Sequence, residues 1–131
     1  MSDYTTCGRG DATDYMAGYE GFGEMLSYSG SLGAEQVALT WRRMPPGTGG
    51  RGSYGHRHPG QEEVYFVISG TVTFKIDDDV FEAGPQTAVR IGGDAYRSVH
   101  NDMDQDAELL VISTRDPDAG TERAEDFWPA D

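Results

Sequence analysis

Across residues 24–114 short apolar-rich runs alternate with Gly, Pro and Asp clusters, and this rhythm constrains the fold more than any other feature. The runs 24–29, 37–44, 53–58, 63–69, 71–77, 80–83, 87–91, 97–101 and 108–114 read as strands. A recurrence of roughly 8–12 residues marks an all-β sandwich or barrel. The breakers agree with it. Pro45-Pro46-Gly47 ends one run, Ser69-Gly70 can turn a hairpin, and Asp77-Asp78-Asp79 makes a tight polar turn. No amphipathic helix longer than two turns is expected.

The 131 residues suffice for one domain, and 37% hydrophobic residues suffice for its core. Residues 1–23 are polar and aperiodic and read as an N-terminal arm. Residues 24–114 form the barrel. Residues 115–131 read as an acidic, turn-rich C-terminal tail with one apolar patch, Phe127-Trp128-Pro129. No apolar run approaches 18 residues, so no membrane span is expected. The first residues, MSDYTTCGRGD, lack a basic region followed by an apolar one, so a cytoplasmic location is expected. Cys7 is the single cysteine and reads as a spectator thiol.

The net charge is −13, with 23 acidic and 10 basic residues. Phosphate backbones and anionic membranes repel such a surface, so neither is an expected partner. Acidic excess with a single lysine, Lys75, fits a protein kept soluble in concentrated salt.

Residues 50–70 read GRGSYGHRHPGQEEVYFVISG and carry the chemistry. On a strand, residues two apart share a face, so His56 and His58 aim the same way. Glu63 approaches from the next strand. Two imidazoles and a carboxylate suit Fe, Mn, Ni, Cu or Zn and leave positions open for water or ligand. Alternation puts Glu62 opposite to Glu63, so only one of the two can face a pocket. Tyr65 and Val67 share the parity of Glu63, as an inward face requires.

This stretch resembles the first motif of the cupin superfamily, and GHRHPGQEEVYFVISGTVTFKIDDDVFEA looks like small single-domain cupins without established activity. The resemblance implies a double-stranded β-helix, or jelly-roll barrel, with His56, His58 and Glu63 as metal ligands. It also implies a second motif with a third ligand His and an Asn four residues later. The corresponding positions here are Gln86, Gly92, Asp94, Arg97 and Asn101, of which only Asn101 matches by identity. The likeness covers about residues 37–114.

Arg97 therefore stands where the resemblance places the third His. A guanidinium is permanently protonated and cannot ligate a metal. At about 4 Å and an effective dielectric near 20, two like unit charges cost roughly 4 kcal/mol, and a divalent ion about doubles that. Three arrangements are open. Arg97 bends away and leaves a three-ligand site; it pairs with Glu63 and replaces the metal; or it binds an anionic ligand beside the metal. Tyr96 and His100 are substitutes for the missing His, but alternation sets them on the face opposite Arg97 unless a bulge near Gly92-Gly93 reverses it.

The reading for function is a small single-domain cupin that binds a small, anionic organic ligand. Arg97, Tyr65 and Asn101 are the candidate ligand contacts, beside a partial site of His56, His58 and Glu63 for Fe, Mn, Ni or Zn. No nucleotide cofactor is expected. The alternative is a metal-dependent enzyme of dioxygenase, isomerase or lyase type acting on a small carboxylate or carbohydrate-like substrate, with Tyr65 and Arg97 as catalytic candidates and Tyr96 as another proton donor. Resemblance to dimeric cupins implies a homodimer, with residues 24–29 covering a partner's sheet edge.

Overall fold

The computed structural model describes residues 2–116 and 118–131. Among these residues eleven strands follow in chain order: β1 (Thr13–Asp14), β2 (Glu24–Ser27), β3 (Val37–Met44), β4 (Ser53–Arg57), β5 (Glu63–Ser69), β6 (Val72–Ile76), β7 (Asp79–Ala83), β8 (Ala88–Ile91), β9 (Arg97–His100), β10 (Ala107–Thr114) and β11 (Glu122–Trp128). A 3-10 turn at Arg9–Asp11 and a one-turn helix, α1 (Ser29–Leu32), complete the chain. One sheet runs β1-β2-β3-β10-β5-β8 and the other β11-β4-β9-β6-β7. All strand pairs are antiparallel. This is the expected jelly-roll barrel.

Period-two alternation builds the interior. Along β5, Glu63, Tyr65 and Val67 are buried while Val64, Phe66 and Ile68 are partly open. Val67, Phe74, Met44 and Leu109 meet between the sheets with Val72, Ile91 and Val99. The hairpin at Gly70 has φ 76°, and a Cβ there would lie 2.6 Å from the Asp106 carbonyl oxygen, so the turn requires glycine. A register shift between Glu108 and Leu109 supplies the bulge that bends β10 there.

Two expectations for the chain ends need correction. Residues 115–131 are not simply a tail, because β11 joins the second sheet against β4, with Glu122 opposite Arg57 and Ala124 opposite Gly55. Trp128 is 3% exposed. The strand was illegible because its exposed face is acidic and only Phe127 and Trp128 mark its packed side. A Cβ on Gly55 would stand 2.4 Å from the Phe127 ring, so this glycine makes room for the strand. At the other end, β2 pairs with β3 of its own sheet and with β1, so it is not a free strand extended toward a partner. Within the N-terminal segment, the Asp14 carboxylate accepts hydrogen bonds from the Met16 and Met25 amides and pins it to the barrel.

Candidate functional site

His56 lies on β4, His58 one residue beyond its end, and Glu63 at the first position of β5. The intervening turn is closed by the Gln61 amide donating to the His58 carbonyl at 3.0 Å. Gly93 packs on this turn; a Cβ there would lie 2.5 Å from the His58 oxygen. Donor atoms of His56, His58 and Glu63 all come within 4.8 Å of one another. The two imidazole centroids are 4.9 Å apart with planes at 67°.

The donor set fits a divalent transition metal on three counts. Glu63 is buried and its Oε1 has no hydrogen-bond partner among the described residues. Burial, with the nearby His58, Arg97 and Arg42, lowers the His56 pKa from the usual imidazole value to about 4, so the ring keeps its lone pair at neutral pH. Burial also lowers the His58 pKa, against the opposing pull of Glu63. The Thr121 hydroxyl lies 3.1 Å from His58 Nδ1. With Nδ1–H donating to that oxygen, Nε2 remains free to ligate. Thr121 escaped the sequence reading because it lies in the segment taken for a tail.

Glu62 faces outward and pairs with Arg90, as alternation requires. Arg97 points inward and is fully buried. Its Nη2 donates to the Gly92 carbonyl at 3.0 Å, while Nε and Nη1 have no partner among the described residues. Arg97 neither bends away to solvent nor forms an ion pair with Glu63 among the described residues. Arg97 thus keeps two buried donors without a protein partner among the described residues. Burial foremost, and then Glu63, raise the Tyr65 pKa, so the phenol stays protonated and acts as a hydrogen-bond donor.

The remaining candidates sit elsewhere. His100 accepts a bond from the Arg51 amide at Nδ1 and packs against Trp128 with ring centroids 6.1 Å apart. Tyr96 lies beneath the Arg57 guanidinium at 4.6 Å. Among the described residues His100 does not join the histidine cluster. The expectation that Asn101 contacts a ligand is corrected. Its Nδ2 donates to the Met44 and Gln105 carbonyls at 2.9 and 2.7 Å, and its Oδ1 accepts from the Met103 amide. With both amide hydrogens on main chain, Asn101 is a loop pin.

A cavity of about 230 Å³ opens beside His56 and Tyr65. This is below the roughly 300–1,000 Å³ of sites for drug-sized ligands, which favours a small molecule. Met16, Phe22 and Met25 from the N-terminal segment form part of its wall. So does Arg42 of β3, which the sequence reading passed over. The signal was present: in VALTWRRM one of two consecutive arginines must face inward.

The family model for the Cupin domain matches residues 40–113. The chain belongs to the cupin family. No curated protein sequence matches it. Among solved structures, this cupin resembles a sugar phosphate isomerase of the cupin superfamily from Silicibacter pomeroyi, with 23% identity and a TM-score of 0.69 over 91% of this chain and 72% of that one. It also resembles a cupin protein from Bacteroides fragilis, with 20% identity and a TM-score of 0.70 over 90% and 89% of the two chains. A polyketide cyclase from Streptomyces resistomycificus gives 19% and 0.68 over 88% and 82%. At these identities the likeness shows the fold alone.

Proposed function

We propose that this cupin binds a small anionic organic molecule inside the barrel, beside a divalent transition metal held by His56, His58 and Glu63. The supporting observation is a pair of buried, unpartnered polar groups of opposite sign, Glu63 Oε1 and the Nε and Nη1 of Arg97. Each costs free energy while unsatisfied. A cation satisfies the first and an anion the second. Metal content by ICP-MS, on untagged wild type and His56→Ala, tests the reading. Near-stoichiometric Fe, Mn, Ni or Zn that is lost in the variant supports it; a wild type that refuses all four metals sinks it.

A second reading, metal-dependent catalysis, draws on Tyr65. When bound, the metal would polarise a substrate oxygen. Arg97 would hold a carboxylate or enolate, and the Tyr65 phenol would donate a hydrogen bond to developing negative charge. Loss of turnover in Tyr65→Phe with retained metal would favour this reading over simple binding.

A homodimer remains part of the proposal. The outer face of the six-stranded sheet carries Val37 and Ile112, 56% and 40% exposed, beside Leu39, Trp41 and Leu110. A 14.3 kDa species alone in sedimentation at micromolar concentration would reject it.

A further inference from the structure

Two adjacent arginines on β3 are treated in opposite ways. Arg43 faces out and is matched twice, by Glu24 and by Asp106 at 3.1 Å. Arg42 faces in, shares the parity of the core residue Met44, and pairs with no carboxylate among the described residues. Its Nε is sealed from solvent without a hydrogen-bond partner, while the side chain lines the cavity beside His56. Its electrostatic neighbours are two phenols, Tyr65 and Tyr54. Arg42 lines the cavity beside His56, and Arg97 stands opposite His56 in the register of β4 and β9, so both cations neighbour that imidazole. With Glu63 as the single carboxylate of the metal-binding cluster, that interior holds two positive charges against one negative, in a chain of net charge −13. Local excess of this sign, against the sign of the whole molecule, is not a solubility effect. A sealed guanidinium nitrogen without a partner is costly, and a planar fork of donors matches a carboxylate or phosphate.

We propose that Arg42 is a second anion-binding position. The ligand of this barrel is then a small molecule with two anionic oxygen groups, one met by Arg42 and the other by Arg97 beside the metal-binding residues. The inference rests on the reading above that the barrel takes a small anion. It goes further by fixing the number of charges and naming a second recognition residue.

Calorimetric titration with matched acids tests it: malonate against propionate, succinate against butyrate, glutarate against valerate, with 2-phosphoglycolate as a phosphate-bearing arm. At least one dianion should bind wild type tenfold or more tightly than its monoanion. Arg42→Met should abolish that advantage, leave bound metal per chain no lower, and keep or raise the ligand-free Tm, because it replaces an unpaired charge with an apolar chain of similar length. Tighter binding of 2-phosphoglycolate than of every dicarboxylate assigns a phosphate end, and the reverse assigns two carboxylates; either supports the proposal. Monoanions that bind wild type as well as dianions overturn this inference alone. So does an Arg42→Met protein that keeps the dianion preference, or loses Tm with no change in selectivity, since that marks a structural arginine. Failure of every acid to bind overturns the reading of a small-anion site as well.

Discussion

Arg97 stands opposite His56 where β9 pairs with β4. The barrel thus sets a permanent cation beside the first of the three side chains of the candidate metal site. That pairing accounts for part of the low His56 pKa, after burial and the neighbouring His58. It also turns the departure from the usual cupin pattern into a feature with measurable consequences.

The first consequence is a pH dependence of the metal-free protein. Folding lowers the His56 pKa from 6.5 to about 4. Between those values the unfolded chain binds a proton that the folded one refuses, so stability rises with pH across that window and is level above it. For this residue the loss on acidification should reach about 2 to 3 kcal/mol. His58 and His100 are shifted in the same direction. Urea midpoints measured in EDTA between pH 7.5 and 4 should therefore fall more steeply for wild type than for His56→Gln. Parallel curves would refute the assignment.

Arg97 itself should limit metal affinity. A cation near a divalent ion is unfavourable by several kcal/mol even at an effective dielectric near 20. Arg97→His removes that charge and places an imidazole at the position opposite His56. Zinc affinity, read by competition with a chelating dye, should rise at least tenfold, while binding of small anions should fall. Unchanged zinc affinity would mean that Arg97 does not act on the metal position.

Much of this arrangement is legible in the sequence. The bounds of β3 and β5 agree with the sequence reading at 37–44 and 63–69, because both strands alternate cleanly between Gly- and Pro-rich breaks. The same alternation separated Glu63 from Glu62 and put Arg97 and His100 on opposite faces, leaving open which of the two points inward. Legibility failed where charge was read as exposure. Arg42 sits in the cavity wall because its strand's inner parity falls on it, and β11 is acidic because only one of its faces packs. His100 is buried on the nominally outer face because Trp128, from that unrecognised strand, packs against it.

Glu63 and Glu62 offer an internal control. Glu63→Gln removes a buried charge whose Oε1 is unpartnered, so the metal-free protein should be as stable as wild type or more so. Metal affinity should fall at least tenfold. Glu62→Gln breaks only a surface pair with Arg90, worth less than about 1 kcal/mol, and should change neither property. Thermal melts with and without added zinc read both effects. An equal loss of metal in the two variants would show that the carboxylate assignment is wrong.

The strand at the C-terminal end should matter to the site as well as to the fold. Trp128 is buried, lies under the Arg51 guanidinium at 4.7 Å, and its carbonyl accepts from the Gly52 amide at 2.7 Å. Trp128→Ala should cost about 3 to 5 kcal/mol, as for other buried aromatic truncations. Gly55→Val places a branched side chain where the Phe127 ring lies and should displace β11 from β4 without touching a ligand residue. Because Thr121 leads into β11 and engages His58 Nδ1, that displacement should also weaken metal binding. Thr121→Ala isolates the second effect: Tm within a degree or two of wild type, and zinc affinity lower by about tenfold, the range for a lost outer-sphere partner. If Thr121→Ala binds zinc as wild type does, β11 supports the barrel alone and His58 is oriented by its own turn.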